Sequence, residues 1–345
     1  PSKIMLSNIT DAGNQLKSCF DDSGYYTNHS VNHATKWTNK TKQFKAPADY
    51  SIHEEVERFD LIFVAGIVNS SLISYYFSEF HATKSLNNVS RMPPEAIRSL
   101  PVYDVTNERG EGLNINLPVD INKDNPVEAM KKMTKRIIDL KKDRGNINLN
   151  ILDYLGDYSE GAKLPDIGLF QPTESSILNA TTEDYTNLKI SDVKIEHNIG
   201  NVKINVATRY KPENPEAYET DSNGYTETDF HEAFSINSLS QKEVRLIKSF
   251  VPIAIEKAKS SSSFAGFRQK ARKTISPMDR LKNIILPELN DVDDDLERYM
   301  EAVERAEELD EKIEQTDKLI DEIVYELYGL TDEEIEIVED VVSKD

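Results

Sequence analysis

The chain has 345 residues, enough for two hydrophobic cores, and a formal net charge of −20 at pH 7. Residues 288–345 hold 24 acidic and five basic residues, whereas the rest of the chain holds 37 acidic and 36 basic residues. The negative charge therefore belongs to the C-terminal region, and the nearly neutral body does not exclude nucleic acid as a ligand. The single cysteine, Cys19, excludes a disulfide framework and is typical of a reducing, cytoplasmic location. We predict no signal peptide and no membrane span, and because the chain begins at Pro1 we interpret it as a fragment of a longer protein.

The N-terminal region begins with a predicted strand at Lys3–Leu6 and continues into a stretch that lacks acidic residues. Between Ser23 and Ala48, lysines alternate with aromatic residues, which favours phosphate contact and base stacking. A solvated loop with its aromatic side chains turned inward is the open alternative. The candidate DNA contacts here are Tyr25, Tyr26, Lys36, Trp37, Lys40, Lys42 and Lys45.

The segment Phe59–Phe77 is apolar on nearly all sides, which predicts a single buried helix of about 17 residues, too short to favour a membrane span. A polar loop follows, and Leu100-Pro101-Val102 predicts a strand that returns to the core. This loop would face a partner, and its candidate contacts are Lys84, Asn87, Asn88 and Arg91. Asn87 and Asn88 suit adenine edges and Arg91 suits guanine.

A helix is predicted after Asp124-Asn125-Pro126, because an asparagine cap is followed by proline at the first helical position. Its apolar face repeats at Met130, Met133, Ile137 and Leu140, and its other faces are strongly basic. We favour a solvated outer face over a DNA contact for these cations.

Residues 164–237 alternate between apolar and polar side chains, which predicts a β-rich subdomain. Leu188–Ile195 and Val202–Val206 flank a turn that contains Gly200, as in a β-hairpin. Ser240–Lys257 predicts a helix with a kink at Pro252, and Ser260–Ser263 predicts a linker.

A second basic island covers residues 264–282, which contain six basic residues and one acidic residue, Asp279. Ser276-Pro277 predicts the start of a short helix within it. We favour phosphate contact over a plain surface for this island. Its candidate contacts are Arg268, Lys270, Arg272, Lys273 and Arg280.

The acidic C-terminal region predicts a long heptad helix, because apolar or small residues repeat every three or four positions from Ala302 to Leu327. Gly329 ends this helix, and Thr331 with Glu334 forms a capping box for another. We assign these helices to scaffolding or docking, behind a continuous basic surface formed by the body.

Motifs of catalysis are mostly absent from the sequence, which has no phosphate-binding Gly-rich loop and no Asn-Pro-Pro-aromatic tetrapeptide of the kind that holds a flipped adenine. His29 and His33 lack an evident third metal ligand. Asp166, Asp192 and Lys194 form a degenerate nuclease pattern, which is a weaker alternative because Asp192 and Lys194 also fit an amphipathic strand.

Several ordered segments resemble the TaqI-like C-terminal specificity domain of adenine-N6 DNA methyltransferases and type IIG restriction–modification proteins. They are Asp22-Ser23-Gly24-Tyr25-Tyr26, the run Val64–Phe77 with Ile67-Val68-Asn69-Ser70-Ser71, Leu100-Pro101-Val102, and Ile320–Leu330. The acidic composition is similar to that of salt-adapted archaeal members, and the resemblance covers about residues 1–105 and 264–340. Residues 164–237 depart from the family pattern.

The resemblance implies a non-catalytic target-recognition part that binds double-stranded DNA for an upstream catalytic domain of the same chain. S-adenosylmethionine, and Mg²⁺ where the parent also cleaves, would belong to that domain, and this fragment would hold no cofactor. We therefore expect an α+β fold with a β-rich recognition domain, a buried helix and long C-terminal helices. The expected segments are 1–118 (recognition, first part), 119–160 (basic helix), 161–240 (β-rich insert), 241–287 (helix and basic linker) and 288–345 (scaffold). The alternative is a docking module that assembles subunits through the heptad helix.

Overall fold

The computed structural model describes residues 2–7, 16–23, 25, 31–35, 60–81, 93–103, 113–269 and 273–342. The chain divides into two compact units, which do not follow the five expected segments. Pro1–Ile147 joins Ala306–Asp345 in what we call the terminal unit, and Asn148–Arg305 forms the central unit. Helices and antiparallel sheets occur in both, which confirms the predicted α+β class.

The terminal unit packs helices against a small antiparallel sheet of order β2-β1-β3. The predicted first strand is confirmed as β1. The strands are β1 Lys3–Ser7, β2 Ser18–Asp21 and β3 Val31–Thr35, and the helices are α1 Leu61–Val68, α2 Ser71–Phe80, α3 Pro94–Arg98, α4 Pro126–Gly145, the later part of α9 Leu289–Tyr328, and α10 Asp332–Val342. No strand forms at residues 100–103, where Val102 is exposed, so the strand predicted there is wrong.

The predicted single helix over Phe59–Phe77 is instead two helices, α1 and α2, bent by 63°. Ser70 causes the break, because its Oγ donates to the Ile67 carbonyl and accepts from the Ile73 N–H, which ends one helix and caps the next. Both helices contribute fully buried side chains to the core, including Phe63 and Phe77. Within the described ranges no single helix is long and apolar enough to cross a bilayer, although α1 and α2 together pass by length and composition.

The basic helix α4 begins where the sequence predicts, since Asn125 Oδ1 accepts from the Glu128 N–H at 3.0 Å. Met130, Met133 and Ile137 face the core. On its outer side, Arg144 Nε lies 2.9 Å from Asp310 and Lys141 Nζ lies 3.4 Å from Asp317. The expected continuous basic surface is therefore interrupted at Lys141 and Arg144, which pair with carboxylates of α9.

The heptad helix is confirmed as α9, and its seam is buried inside the terminal unit. Ile320, Ile323 and Leu327 all pack in this core. Gly329 ends the helix at φ +69°, and the predicted capping box between Thr331 and Glu334 opens α10. The apolar seam of α9 thus finds its partner within the same chain.

The central unit is built on an antiparallel sheet of order β5-β9-β7-β6, with β8 also paired to β7. Its helices are α5 Ile151–Leu155, α6 Ser176–Asn179, α7 Gln241–Ser261, α8 Pro277–Lys282 and the start of α9. Its strands are β4 Glu160–Lys163, β5 Leu169–Pro172, β6 Lys189–Asn198, β7 Asn201–Tyr210, β8 Thr226–Glu227, β9 His231–Asn237, β10 Ser263–Phe264, β11 Phe267–Arg268 and β12 Ile285–Pro287. β4 pairs with β12, and β10 pairs with β11.

Local sequence signals set the two largest elements of this unit. The predicted hairpin is confirmed as β6 and β7, with Gly200 at φ +70° in its turn. Ser240 and Glu243 form a capping box at the start of α7, whose apolar face packs in the core. The linker predicted at Ser260–Ser263 is wrong, because α7 continues to Ser261 and Ser262, at φ +71°, turns the chain into β10.

Gly66 allows close packing of α1 on α4, which provides a test of the terminal core. A Cβ at this position would lie 2.8 Å from Met130 Sδ and closer still to Thr134 Oγ1. We expect Gly66→Ala to lower the free energy of unfolding by about 1–3 kcal/mol through overpacking, despite the helix preference of alanine. The matched control is Gly145→Ala, where a Cβ meets nothing within 4 Å and stability should stay equal or rise by up to about 1 kcal/mol. Urea denaturation that gives equal changes for both variants would contradict the packing.

Asp321 makes the stability of the terminal unit pH-dependent. Its carboxylate accepts from the Ser71 backbone N–H and from Ser71 Oγ, each at 2.7 Å, while burial raises its pKa from 3.8 to about 6. The folded state therefore holds the proton more tightly than the unfolded state, and this group's contribution to stability is lost as pH rises from about 4 through 6. We expect Asp321→Asn, which cannot ionise, to become more stable relative to the natural protein by up to about 3 kcal/mol across that range. Denaturation curves followed by circular dichroism between pH 4 and 8 measure the difference, and a pH-independent difference would refute it.

Candidate nucleic-acid interface

The described residues include four of the predicted DNA contacts, namely Tyr25, Arg268, Lys273 and Arg280. The other predicted contacts lie outside the described ranges: Tyr26, Lys36, Trp37, Lys40, Lys42, Lys45, Lys84, Asn87, Asn88, Arg91, Lys270 and Arg272. The predicted contacts of the terminal unit are thus represented by Tyr25 alone.

Tyr25 is presented to solvent in the terminal unit, where its side chain is 67 % exposed. Asp21 holds its backbone, because Oδ2 of that buried carboxylate accepts from the Tyr25 N–H at 3.0 Å. Lys3 donates to the Tyr25 carbonyl and pairs with Asp21 at 3.1 Å. An exposed ring on a backbone fixed in this way suits stacking against a flat ligand.

The second basic island divides between the surface and the interior of the central unit. Arg268 and Lys273 are exposed, as predicted, but Arg280 is only 4 % exposed. Its guanidinium donates to the carbonyls of Gln269 and Leu188, at 3.1 and 3.2 Å. Arg280 is expected from the sequence as an exposed phosphate contact, and its exposure is corrected, because α8 turns this side chain inward together with Met278 and Leu281.

A pocket of about 340 Å³ opens beside Arg280. Its polar lining comes from Lys163, Arg268, Arg280 and Asn283, and the rest is a glycine and two isoleucines. Lys163 Nζ donates to Asn283 Oδ1 at 3.2 Å. Burial lowers the pKa of Arg280 to about 10, so its guanidinium stays positive at neutral pH. The described residues of the lining thus include three cations and no carboxylate.

The turn between β10 and β11 places Arg268 at this pocket. Ala265 and Gly266 have φ of +45° and +75°, which is the pattern of a two-residue type I′ hairpin turn. The Ile285 N–H donates to the Ala265 carbonyl at 2.9 Å, which ties the turn to β12. The backbone at Gly266 leaves no space for a Cβ next to the Asn283 carbonyl.

A second group of cations, which the sequence analysis missed, surrounds the ring of Tyr225. We call it the Tyr225 cluster, and it consists of Tyr225, Lys189, Arg209 and Lys211. Lys189 Nζ, Arg209 Cζ and Lys211 Nζ lie 4.4, 4.5 and 5.1 Å from the ring centroid. Cations over a tyrosine ring at these distances are held by the negative face of the π-system.

Strand register and one turn build this cluster. Lys189 and Arg209 face each other in the register of β6 and β7. Asp221 Oδ1 accepts from the N–H groups of Tyr225, at 3.0 Å, and Asn223, at 2.8 Å, and Oδ2 pairs with Arg209. The Tyr225 N–H, the Asn223 N–H and Arg209 lower the pKa of Asp221, so this carboxylate stays ionised and fixes the loop that carries Tyr225.

The Tyr225 cluster offers both charge and aromatic surface. Tyr185 and Tyr210, with ring centroids 4.8 Å apart, and the half-exposed Tyr218 continue the aromatic surface. The acidic residues near it are Asp221 and Glu227, which faces Arg209 in the register of β7 and β8. The sequence signals that would have found it are the triplet Arg209-Tyr210-Lys211 and the turn residues Gly224-Tyr225.

The pocket and the Tyr225 cluster adjoin along β6. Arg280 binds the carbonyl of Leu188, Gln269 Nε2 donates to the carbonyl of Ile190 at 2.9 Å, and Lys189 lies between these two residues. The cations of both groups therefore belong to one region of the central unit.

The residues of the nuclease pattern show no arrangement for catalysis. Asp192 lies at the bulge of β6, Lys194 Nζ lies 3.6 Å from Glu196, and Asp166 ends a 3-10 turn. Among the residues that the structure describes, no group of three histidine, cysteine, aspartate or glutamate side chains is placed to hold a metal ion, and these include His33 but not His29. No contact therefore favours the nuclease alternative.

Gly266 provides a test of the turn that carries Arg268. In Gly266→Ala a Cβ would lie closer than 3.0 Å to the Asn283 carbonyl oxygen, in addition to the strain of φ +75°. We expect the free energy of unfolding to fall by at least about 3 kcal/mol. Gly224→Ala is the matched control, because Gly224 has the same φ with nothing within 4 Å, and only the strain of about 1–2 kcal/mol should appear. Equal losses in chemical denaturation would show that the close approach at Gly266 is absent.

No protein-family model matches the chain, and searches of curated proteins and of solved structures give no match. The similarity to TaqI-like specificity domains thus depends on the residues quoted for it, and function is inferred from those residues and from the geometry above.

Proposed function

We propose that this chain is the target-recognition part of an adenine-N6 DNA methyltransferase or type IIG restriction–modification protein, and that it binds double-stranded DNA. It would orient the duplex so that a catalytic domain upstream in the parent chain can flip an adenine, and methylate or cleave the DNA. The observation that carries the proposal is the Tyr225 cluster, in which three cations surround one ring on the central unit.

Each part of the cluster suits a different part of DNA. Lys189 and Lys211 would contact phosphate oxygens and set the register of the protein on the duplex. Arg209 is oriented by Asp221, and a fixed guanidinium can donate two parallel hydrogen bonds to guanine O6 and N7. The neighbouring tyrosine rings add flat surface for sugars or unstacked bases.

The terminal unit supports the proposal through the segments that carry the resemblance. Ser18 N–H donates to Asn69 Oδ1 at 2.7 Å, Ser71 binds Asp321, and Tyr328 Oη donates to the Pro101 carbonyl at 2.7 Å. Segments more than two hundred residues apart in sequence thus form one hydrogen-bonded core. Such an assembly is expected if the ordered combination of motifs marks one structural module.

Cofactor chemistry belongs, in this proposal, to the upstream catalytic domain. S-adenosylmethionine would supply the methyl group there, and Mg²⁺ would serve the members that cleave. No described side chain of this chain is assigned to either group. Here the roles of its residues are to bind the duplex and to set its orientation.

The docking alternative loses its main support, because the seam of α9 is already occupied. Thr316 and Ile320 are each 4 % exposed and Ile323 is fully buried in the terminal unit. A helix that still awaited a second subunit would expose these positions. The described outer face of α9 is acidic, and no apolar seam is left for assembly.

Duplex binding by the full chain should be strongly salt-dependent, and the Tyr225 cluster should account for part of that dependence. The double variant Lys189→Gln/Lys211→Gln leaves the Arg209–Asp221 pair intact. We expect it to bind a random-sequence duplex more weakly, and the slope of log affinity against log salt to fall by about 2. Fluorescence anisotropy at several salt concentrations measures both quantities.

The matched control is Lys248→Gln/Lys257→Gln, which removes the same charge from exposed positions of α7. It should keep nearly the natural slope. Enrichment of bound duplexes from a random pool would then reveal the target sequence. Absent or salt-independent binding, or an equal loss in the control, would refute the proposal.

A further inference from the structure

Arg280 is buried and has no acidic partner among the residues that the structure describes, although an isolated charge in a protein interior costs free energy. Two of its guanidinium nitrogens donate to the carbonyls of Gln269 and Leu188, and these two bonds fix the plane of the group. Its Nε is buried and has no hydrogen-bond partner among the described residues. Asp279, the nearest acid in sequence, accepts instead from Ser276 Oγ at 2.9 Å within its capping box.

The two other cations of the pocket keep hydrogen-bonding capacity as well. Lys163 Nζ donates to Asn283 Oδ1, which occupies one of the three N–H groups of an ammonium. Arg268 is exposed at the mouth, on the strand that follows the type I′ turn. Three positive groups with free donors, no acidic side chain among the described lining residues and a volume of about 340 Å³ define a site for a compact polyanionic group.

We propose that this pocket binds one phosphate group, with the side chain of Arg280 at its inner end and Arg268 and Lys163 at its mouth. Arginine suits this role because its rigid fork of N–H groups matches phosphate oxygens, and lysine adds a mobile charge. The bound anion would also neutralise the buried guanidinium, which explains why the fold keeps an unpaired charge there.

The same chemistry could be supplied by a free phosphate monoester or by a phosphodiester of the DNA backbone. The second source rests on the proposed function, and the structure favours it because Leu188 and Lys189 join the pocket directly to the Tyr225 cluster. One backbone phosphate in the pocket would anchor the strand whose neighbouring phosphates meet Lys189 and Lys211.

The test follows the Nε–H signal of Arg280 by nuclear magnetic resonance in the ¹⁵N-labelled full chain. The signal is assigned through its loss in Arg280→Lys. Inorganic phosphate and a random-sequence duplex are titrated separately at constant ionic strength. We expect the signal to shift with both ligands, and Lys163→Gln/Arg268→Gln to weaken phosphate binding about tenfold or more. The control Lys248→Gln/Lys257→Gln should leave phosphate binding unchanged.

The outcomes separate this proposal from the proposed function. A shift with phosphate but none with a bound duplex would keep the pocket and reject the backbone as its ligand. A phosphate shift without any duplex binding would keep the pocket and reject the proposed function. No shift with phosphate, or an equal loss of phosphate binding in the control, would reject the pocket, and salt-dependent duplex binding through the Tyr225 cluster would then stand alone.

Discussion

The buried guanidinium of Arg280 is the interaction on which the functional region of the central unit depends. It links α8 to the start of β6 through Leu188 and to the end of β11 through Gln269. The Gln269 side chain in turn donates to the Ile190 carbonyl. The carbonyls before and after Lys189 are therefore each bound by a side chain of the basic island. Because successive strand side chains point to opposite faces, the buried side chains of Leu188 and Ile190 leave Lys189 on the outer face, with Tyr225. One arginine thus positions a pocket and a cation of the neighbouring cluster.

Much of the fold could be predicted because its signals are local. Asn125-Pro126 and Ser276-Pro277 mark helix starts by capping chemistry, and both helices begin there. The heptad repeat of α9 extends over enough turns to be unambiguous, and Gly200 marks the turn of the β6–β7 hairpin. In each case the residues that determine the local structure lie within a few positions of one another. The helix or turn can therefore be predicted without knowledge of tertiary contacts.

The candidate site could not be predicted from the sequence, because it depends on contacts between residues that are far apart along the chain. Lys189, Arg209, Lys211 and Tyr225 come from three elements and meet only through strand register and the turn at Asp221. Counting the basic residues in 264–282 gave Arg280 and Arg268 the same weight. In the structure, however, Arg280 lies on the buried face of α8, whereas Arg268 is exposed on β11. Likewise the hydrophobic run 59–77 hides a 63° bend, because a serine that caps a helix looks like an ordinary small residue inside an apolar stretch.

Charge pairing explains how a strongly acidic chain can retain a basic surface. In the terminal unit the cations Lys141 and Arg144 of α4 are neutralised by Asp317 and Asp310, at 3.4 and 2.9 Å. In the Tyr225 cluster, by contrast, Arg209 pairs with Asp221 and faces Glu227 in the strand register, and the described residues that line the pocket include no carboxylate. At physiological salt the field of exposed charges decays over about 8 Å, so the potential at a cation is set by the charges near it and not by the total charge of the chain. Local pairing therefore decides where positive charge stays available to an anion, and in the central unit the Tyr225 cluster and the pocket keep such charge.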